Sequence, residues 1–202
     1  MAGRENHRER LVEGALSCLR ERGYARTTAR EIASAAGANL GSIGYHFGSK
    51  EALVTEAMGQ GFRDWTEHIA GQVLQSEATT PLERLRVSWA TMTDSFEEQR
   101  PLLLAFVEAL APAARSPDLR RRLGALYEEM REGIALLVAA SLDDLGPDPS
   151  PTTRTLASLL IAVCDGLVLQ WLLDPERTPS GDELVDAIEA VLDSSQVRTA
   201  LS

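Results

Sequence analysis

The chain has 202 residues, 44% of them hydrophobic and 25% charged, with a formal net charge of −10, enough chain to bury a substantial core as one domain or two. Its two cysteines, Cys18 and Cys164, stand far apart without metal-ligand spacing, which argues against a disulfide framework or a zinc site and fits a reduced, cytoplasmic protein. The charge is uneven: residues 1–50 hold eight Lys or Arg against five Asp or Glu, whereas 51–202 hold twelve against twenty-five, so a basic head precedes an acidic body and a polyanion meeting the head feels its local field.

The first helix is predicted to open at Asn6, with Glu9 three residues on, and to run along Leu11, Val12, Ala15, Leu16 and Leu19 to Gly23. Tyr24 should cover the junction that comes next. No signal peptide is expected, because Arg4 to Arg10 is charged, and Arg4, His7, Arg8 and Arg10 gather where the head opens. Thr28 followed by Glu31 is a capping box, so a second helix starts at Ala29. Ile32, Ala33 and Ala36 give it an apolar stripe, and Gly37 ends it in the left-handed conformation. The turn is Gly37, Ala38, Asn39, and Asn39 caps a third helix whose Ile43 and Phe47 point inward. Leu40, Gly41, Ser42, Tyr45 and His46 are left on its outer side. Residues 28–47 therefore read as a helix-turn-helix.

An exposed helix that begins with small residues suits the major groove, where residues near its N-terminus meet base edges. Ser42 is the candidate reader, Gly41 allows close backbone approach, and Leu40 suits a thymine methyl. Thr28, Arg30 and Asn39 lie near the same groove. Lys50 is the only lysine among twenty basic residues. Behind the cap Ser49 its ammonium would sit beside free backbone N–H groups, which calls for an anion such as a DNA phosphate. Tyr45 and His46 are the accompanying phosphate candidates.

From Ser49 the spacing Leu53, Val54, Ala57, Met58, Phe62, Trp65, Ile69, Val73 predicts a helix over 49–75 that bridges head and body. A loop follows at 76–80. Thr80, Pro81 and Glu83 restart a helix with Leu82, Leu85, Trp89, Met92 and Phe96 on one face, and Pro101 is expected to break it. A short helix over 102–110 and a longer one from Ser116 to about 145 come next, then an extended loop at 147–151. The apolar runs at 133–142 and 156–164 are about half the ~20 residues that cross a bilayer, so no membrane span is expected. Residues 152–173 are apolar on two sides, with Leu156, Leu160, Val163, Leu167 and Gln170 on one and Ile161, Val168, Leu169 and Leu172 on the other. The second side needs a partner. With the last helix, capped by Ser180 and Glu183 and carrying Leu184, Ile188 and Val191, it is expected to form a four-helix interface between two copies, Gly166 allowing close approach. No period-two strand pattern occurs. The fold class is all-α, nine helices in two domains, 1–50 for DNA binding and 51–202 for ligand binding and dimerisation.

Catalytic signatures are missing. No histidine has a glutamate three residues before it, and no G-x-S-x-G, P-loop, H-E-x-x-H or Cys-x-x-Cys occurs. Neither a cofactor nor a metal is expected. The body instead offers an apolar wall with polar handles, as small-molecule sites usually have: Trp89, Met92, Thr93 and Phe96, then Phe106, Tyr127 and Met130, then Cys164, Gln170 and Trp171. Glu97, Glu108 and Asp165 would favour a cation there if any faces inward, and as solvated or interface residues would say nothing.

Residues 8–58, above all RERGYARTTAREIASAAGANLGSIGYHFGSKEAL, resemble the DNA-binding domain of the TetR family of transcriptional repressors, and VCDGLVLQWLLDP at 163–175 is similar to that family's penultimate helix. The chain departs from the pattern at Leu40, where lysine is frequent, and at Gly44, where tyrosine is. The resemblance implies a homodimer that binds a palindromic operator on double-stranded DNA and is released by a small-molecule effector. The alternative is a helical ligand carrier or enzyme scaffold without DNA binding.

Overall fold

A computed structural model describes residues 2–142 and 148–193, with side chains from residue 7. Nine α-helices and no strand occur among these: α1 Ala2–Arg22, α2 Ala29–Ala35, α3 Leu40–Phe47, α4 Lys50–Gln75, α5 Pro81–Asp94, α6 Phe96–Arg115, α7 Pro117–Ser141, α8 Pro151–Leu173 and α9 Gly181–Leu192. The expected helix end near 145 lies outside the described residues.

Caps explain most boundaries. Thr28, Thr80 and Ser180 each accept from the backbone N–H three residues on, while the glutamate at that position accepts from the cap's own N–H. Glu83 accepts from the N–H groups of both Thr79 and Thr80 and from the Thr79 hydroxyl; those bonds, the Thr80 N–H first, hold its carboxyl at about 2. Three boundaries differ from expectation, one of them the end of the helix expected over 102–110, which runs on to Arg115. Helix α1 starts at Ala2, ahead of Asn6, because alanine, arginine and glutamate propagate a helix without a cap. The break expected at Pro101 falls at Ser95, whose N–H donates to the Thr91 and Met92 carbonyls, and Pro101 sits inside α6. The ladder bond that Pro101 forfeits would have used the carbonyl of Glu97, an exposed residue. Leu102 and Leu103 next to it are buried, each contributing about 1.5–3 kcal/mol against that loss.

The chain packs as two compact units, one of Met1–Thr66 with Glu98–Met130 and one of Glu67–Glu97 with Arg131–Ser202. This division differs from the one at residue 50 because α4, α6 and α7 each run through both units. The first unit buries Leu11, Leu19, Ile32, Leu53, Val54, Met58 and Leu102. Along α4 the bare Cα of Gly61 lets Leu16 and Leu102 close in, and Phe106 stacks edge-on against Phe62 at 5.5 Å and packs on Tyr127 at 5.7 Å. Arg63 donates to Glu129 at 2.8 Å.

In the second unit α9 lies on α5. Arg86 spreads its guanidinium over Asp186 at 2.8 Å and Glu189 at 3.0 Å, one turn apart on α9, and these bonds, led by the Asp186 carboxylate, push its pKa up. Val185, next to Asp186 on α9, is fully buried. The N–H of Gly181 donates to the Thr93 hydroxyl at 3.2 Å, and Phe96 packs on Trp171 at 5.4 Å. Helix α8 overturns one expectation: its 23 residues, with a mean hydropathy of 2.0 over the most apolar stretch, are long and apolar enough to cross a membrane. Counting an uninterrupted apolar run stopped at Asp165, but one carboxylate barely lowers the mean over a whole helix. Helices inside soluble bundles meet the same criterion, yet only 17% of this stretch is buried in the protomer.

Candidate nucleic-acid interface

The helix-turn-helix is built by local chemistry. Thr28 caps α2, and its hydroxyl donates to Glu31 at 2.8 Å, which with the backbone bond from Thr28 lowers the Glu31 carboxyl. Arg22 donates to the other oxygen of Glu31 at 2.7 Å and ties α1 to this cap. At the far end Gly37 takes φ +57°, and the Ala38 N–H donates to the Ala33 carbonyl at 2.9 Å, a left-handed helix end that an ordinary side chain would strain. Asn39 then accepts from the Gly41 N–H at 2.9 Å and starts α3.

Ile43 is the one buried side chain of the eight residues in α3, and Phe47 packs half-buried beneath the Arg8 guanidinium, 5.3 Å from the ring centroid. Everything else on α3 faces outward or along its flanks. Leu40 is 46% exposed and Tyr45 63%, Gly41 and Gly44 are exposed, and Ser42 and His46 are half-buried at the edge of the packed face. Tyr45 and His46 meet edge to face at 4.9 Å. A Cβ on Gly44 would meet no heavy atom within 4 Å. Thr28, Arg30 and Asn39 are exposed at the neighbouring helix starts. At ~1.5 Å per residue α3 is ~12 Å long, about the width of the major groove.

Two cations sit differently from the sequence reading. Lys50 donates to the Thr27 carbonyl at 3.2 Å, lies 3.7 Å from the Glu51 carboxylate and stands 5.6 Å from the centre of the Tyr24 ring. The protein itself thus supplies an anion and an acceptor beside this ammonium, and a phosphate is not needed to explain its place. An ammonium has three donors, so capacity remains beyond the bond to Thr27. Arg8 pairs with Glu56 on α4 and covers Phe47, bracing α1 against α3 and α4. Glu108, singled out only as a group that would favour a cation in the body, sits elsewhere. On α6, 83 residues away, it accepts from the Ala25 N–H at 3.0 Å in the α1–α2 turn; its spacing in an apolar helix carries no signal of that contact.

The expected effector residues fall in both units. Phe106, Tyr127 and Met130 belong to the first, the rest to the second. Within the second, Trp89, Met92 and Phe96 are buried, Trp171 is half-buried against Phe96, and the Thr93 hydroxyl donates to the Trp89 carbonyl while accepting from Gly181. Cys164 is half-buried, its thiol pushed up to about 12 by burial and then by Asp165. Gln170 is an exception: it is exposed, and its amide donates back to the Gly166 carbonyl. Of the residues expected between two copies, Leu169 and Val191 are exposed, Gly166 opens on empty space, and Val168, Leu172, Leu184 and Ile188 are half-buried. Ile161 is corrected. It is buried with Ala157 and Leu167 in the protomer's own packing, because a helix apolar all round names no face and only its neighbours choose one.

Residues 11–57 match the family described as bacterial regulatory proteins, tetR family, and residues 81–197 match the BetI-type transcriptional repressor C-terminal family. The HTH-type transcriptional repressor DhaR of Mycobacterium sp. (strain GP1) is 28% identical over 195 residues, 94% of each chain. The HTH-type transcriptional repressor KstR2 of Mycobacterium tuberculosis is 34% identical over 118 residues, 58% of each. Among solved structures, the multidrug binding protein EbrR complexed with proflavin is 26% identical, with a TM-score of 0.60 over 92% of this chain and 99% of that one.

Proposed function

The chain belongs to the TetR family of bacterial transcriptional regulators, with a BetI-type C-terminal region, and on that premise we propose that it represses transcription as a homodimer on a partly palindromic operator and is released by a small molecule. The observation that carries this reading is α3, held by buried Ile43 and half-buried Phe47 and otherwise presented outward behind a left-handed turn. Ser42 reads base edges in this scheme, Leu40 and Gly41 fit the groove, and Lys50, Tyr45 and His46 meet phosphates, with Thr28, Arg30 and Asn39 beside them. Nothing in this role calls for catalysis or a cofactor, and a regulator acting on bacterial DNA works in the cytoplasm.

The dimer is supported by apolar surface that the protomer leaves uncovered on α8 and α9: Leu173 is 87% exposed, Val191 63% and Leu169 47%. A second copy covering these with Gly166 at the crossing removes that surface from water, and it holds two heads about 34–36 Å apart, as adjacent half-sites require. The effector is an apolar or amphipathic compound bound against Trp89, Phe96 and Trp171, a reading supported by the multidrug binding neighbour. Fluorescence anisotropy with the duplex upstream of the protein's own gene, against a scrambled duplex, tests the assignment together with light scattering. A dimer that prefers the upstream duplex is expected, and Leu173→Glu is expected to be a folded monomer with weak affinity. A parent protein that is monomeric, or indifferent between the duplexes, overturns the proposal.

A further inference from the structure

We propose that Glu108 is a positioning residue for operator binding: by accepting the Ala25 N–H it fixes the turn from which the helix-turn-helix starts. This role rests on the proposed DNA binding. The carboxylate lies against the turn in two ways. One oxygen accepts from Ala25 at 3.0 Å, and both lie 3.1–3.2 Å from where a Cβ on Gly23 would stand. Gly23 has φ +76°, so its bare Cα serves the turn's shape and the approach of the carboxylate together.

The residues just after the turn make its position matter. The Thr27 hydroxyl donates to the Gly23 carbonyl at 2.7 Å, and Thr27 is buried. The Thr27 carbonyl receives Lys50, and Thr28 is the cap of α2. The bond that would close the turn on itself, from the Thr27 N–H to the Tyr24 carbonyl, is long at 3.4 Å. A charged acceptor on a different helix thus supplies a contact that the turn's own backbone makes weakly, and charged acceptors bind N–H groups more strongly than neutral ones. Displacing the turn moves the Thr28 cap and the Thr27 carbonyl, hence the start of α2 and the Lys50 ammonium. Glu108 itself touches no base in this scheme. Its carboxylate is a negative charge in a unit that meets a polyanion, so charge alone makes it a liability and predicts that removing it tightens binding.

Three variants separate the two accounts. Glu108→Gln keeps the acceptor and drops the charge, Glu108→Asp keeps the charge and shortens the reach, and Glu108→Ala loses both. The probes are a duplex selected from a randomised pool by the parent protein and a random-sequence duplex, at two salt concentrations, with amide exchange at Ala25 followed by NMR in the absence of DNA. Positioning predicts that Asp and Ala bind the selected duplex about tenfold weaker than the parent, on the scale of one hydrogen bond to a charged group, while Gln matches the parent or exceeds it. Ala25 exchanges faster in Asp and Ala. Equal affinities for Gln and Ala with parental affinity for Asp overturn the proposal in favour of charge, and so does unchanged Ala25 exchange in Asp and Ala. A parent protein that selects no duplex defeats the DNA-binding reading, and this role with it, even where the exchange result shows the hydrogen bond.

Discussion

Gly181 gives the strictest test of how α9 is seated. A Cβ built there would fall inside the van der Waals envelope of three backbone atoms of α5, the Trp89 carbonyl carbon and oxygen and the Ala90 nitrogen. Backbone atoms cannot rotate away as a side chain can, so in Gly181→Ala the start of α9 must lift off α5. Overpacking of this kind costs about 1–3 kcal/mol, and losing the bond from Gly181 to Thr93 adds about 1 kcal/mol. The exposed Arg86 pairs with Asp186 and Glu189 can follow a small shift and add little. The sum is about 2–4 kcal/mol, or a fall in Tm of roughly 5–15 °C for a chain of this size. Gly166→Ala is the control. No heavy atom lies within 4 Å of its Cβ, so in a monomeric background it should gain up to about 1 kcal/mol of helix propensity. Both are read by thermal unfolding followed by circular dichroism in the Leu173→Glu background. If Gly181→Ala melts within about 1 °C of its parent, α9 does not rest on the α5 backbone.

Acid stability should respond to Glu83. Its folded carboxyl sits at about 2 against an ordinary 4.5, so the unfolded chain binds the proton more readily and the contribution, present above about 4.5, fades as pH falls toward 2; Glu83→Gln should flatten the dependence of Tm on pH across that window, and an unchanged profile would remove the cap from the acid response. Gly44→Ala, facing open space without a positive φ, should raise thermal stability by up to about 1 kcal/mol, and a lower Tm would show that the site is not open. Ser42→Ala should cost about 1–3 kcal/mol on the selected duplex and little on random DNA. Lys50→Ala should weaken both duplexes alike and reduce the salt slope by about one per protomer; a changed sequence preference for Lys50→Ala, with uniform weakening for Ser42→Ala, would exchange the two roles.

How much the sequence discloses depends on the range of each interaction. Thr28 with Glu31, Asn39 with Gly41 and Ser180 with Glu183 are bonds across two or three residues, so cap and helix start are legible in adjacent letters. Ile43 is legible for the same reason, since it stands four residues before Phe47 on one side of a short helix. Pro101 misleads because its local penalty is set against burial of Leu102 and Leu103 by elements far away in the chain. Glu108 and Ala25 lie 83 residues apart, and neither has a neighbour that announces the other. Ile161 and Gln170 mislead together. In a helix apolar nearly all round, periodicity gives no preferred face, and which residues are covered is decided by what packs on it.

The charge split of the sequence acquires a different meaning once pairs are assigned. Of the cations in residues 1–50, Arg8, Arg22 and Lys50 each lie within 4.0 Å of a carboxylate, on Glu56, Glu31 and Glu51. Arg22 and Arg8 are spent on holding α2 and α3 in place, and Lys50 is held at the base of α2. Such pairs are half-exposed and worth at most about 1 kcal/mol each, so a phosphate can compete for Lys50, but recruiting Arg22 would loosen the Thr28 cap that presents the reading helix. Arg30, exposed at the start of α2, has no such cost. Helix α3 itself contains no aspartate, glutamate, lysine or arginine, so under the proposed DNA binding it acts through contacts, Ser42 at base edges and Tyr45 and His46 at phosphates, rather than through lysine or arginine charge. On the proposed roles Lys50 supplies attraction and Ser42 discrimination, which is why substitutions at Lys50 and Ser42 should separate cleanly in a salt titration.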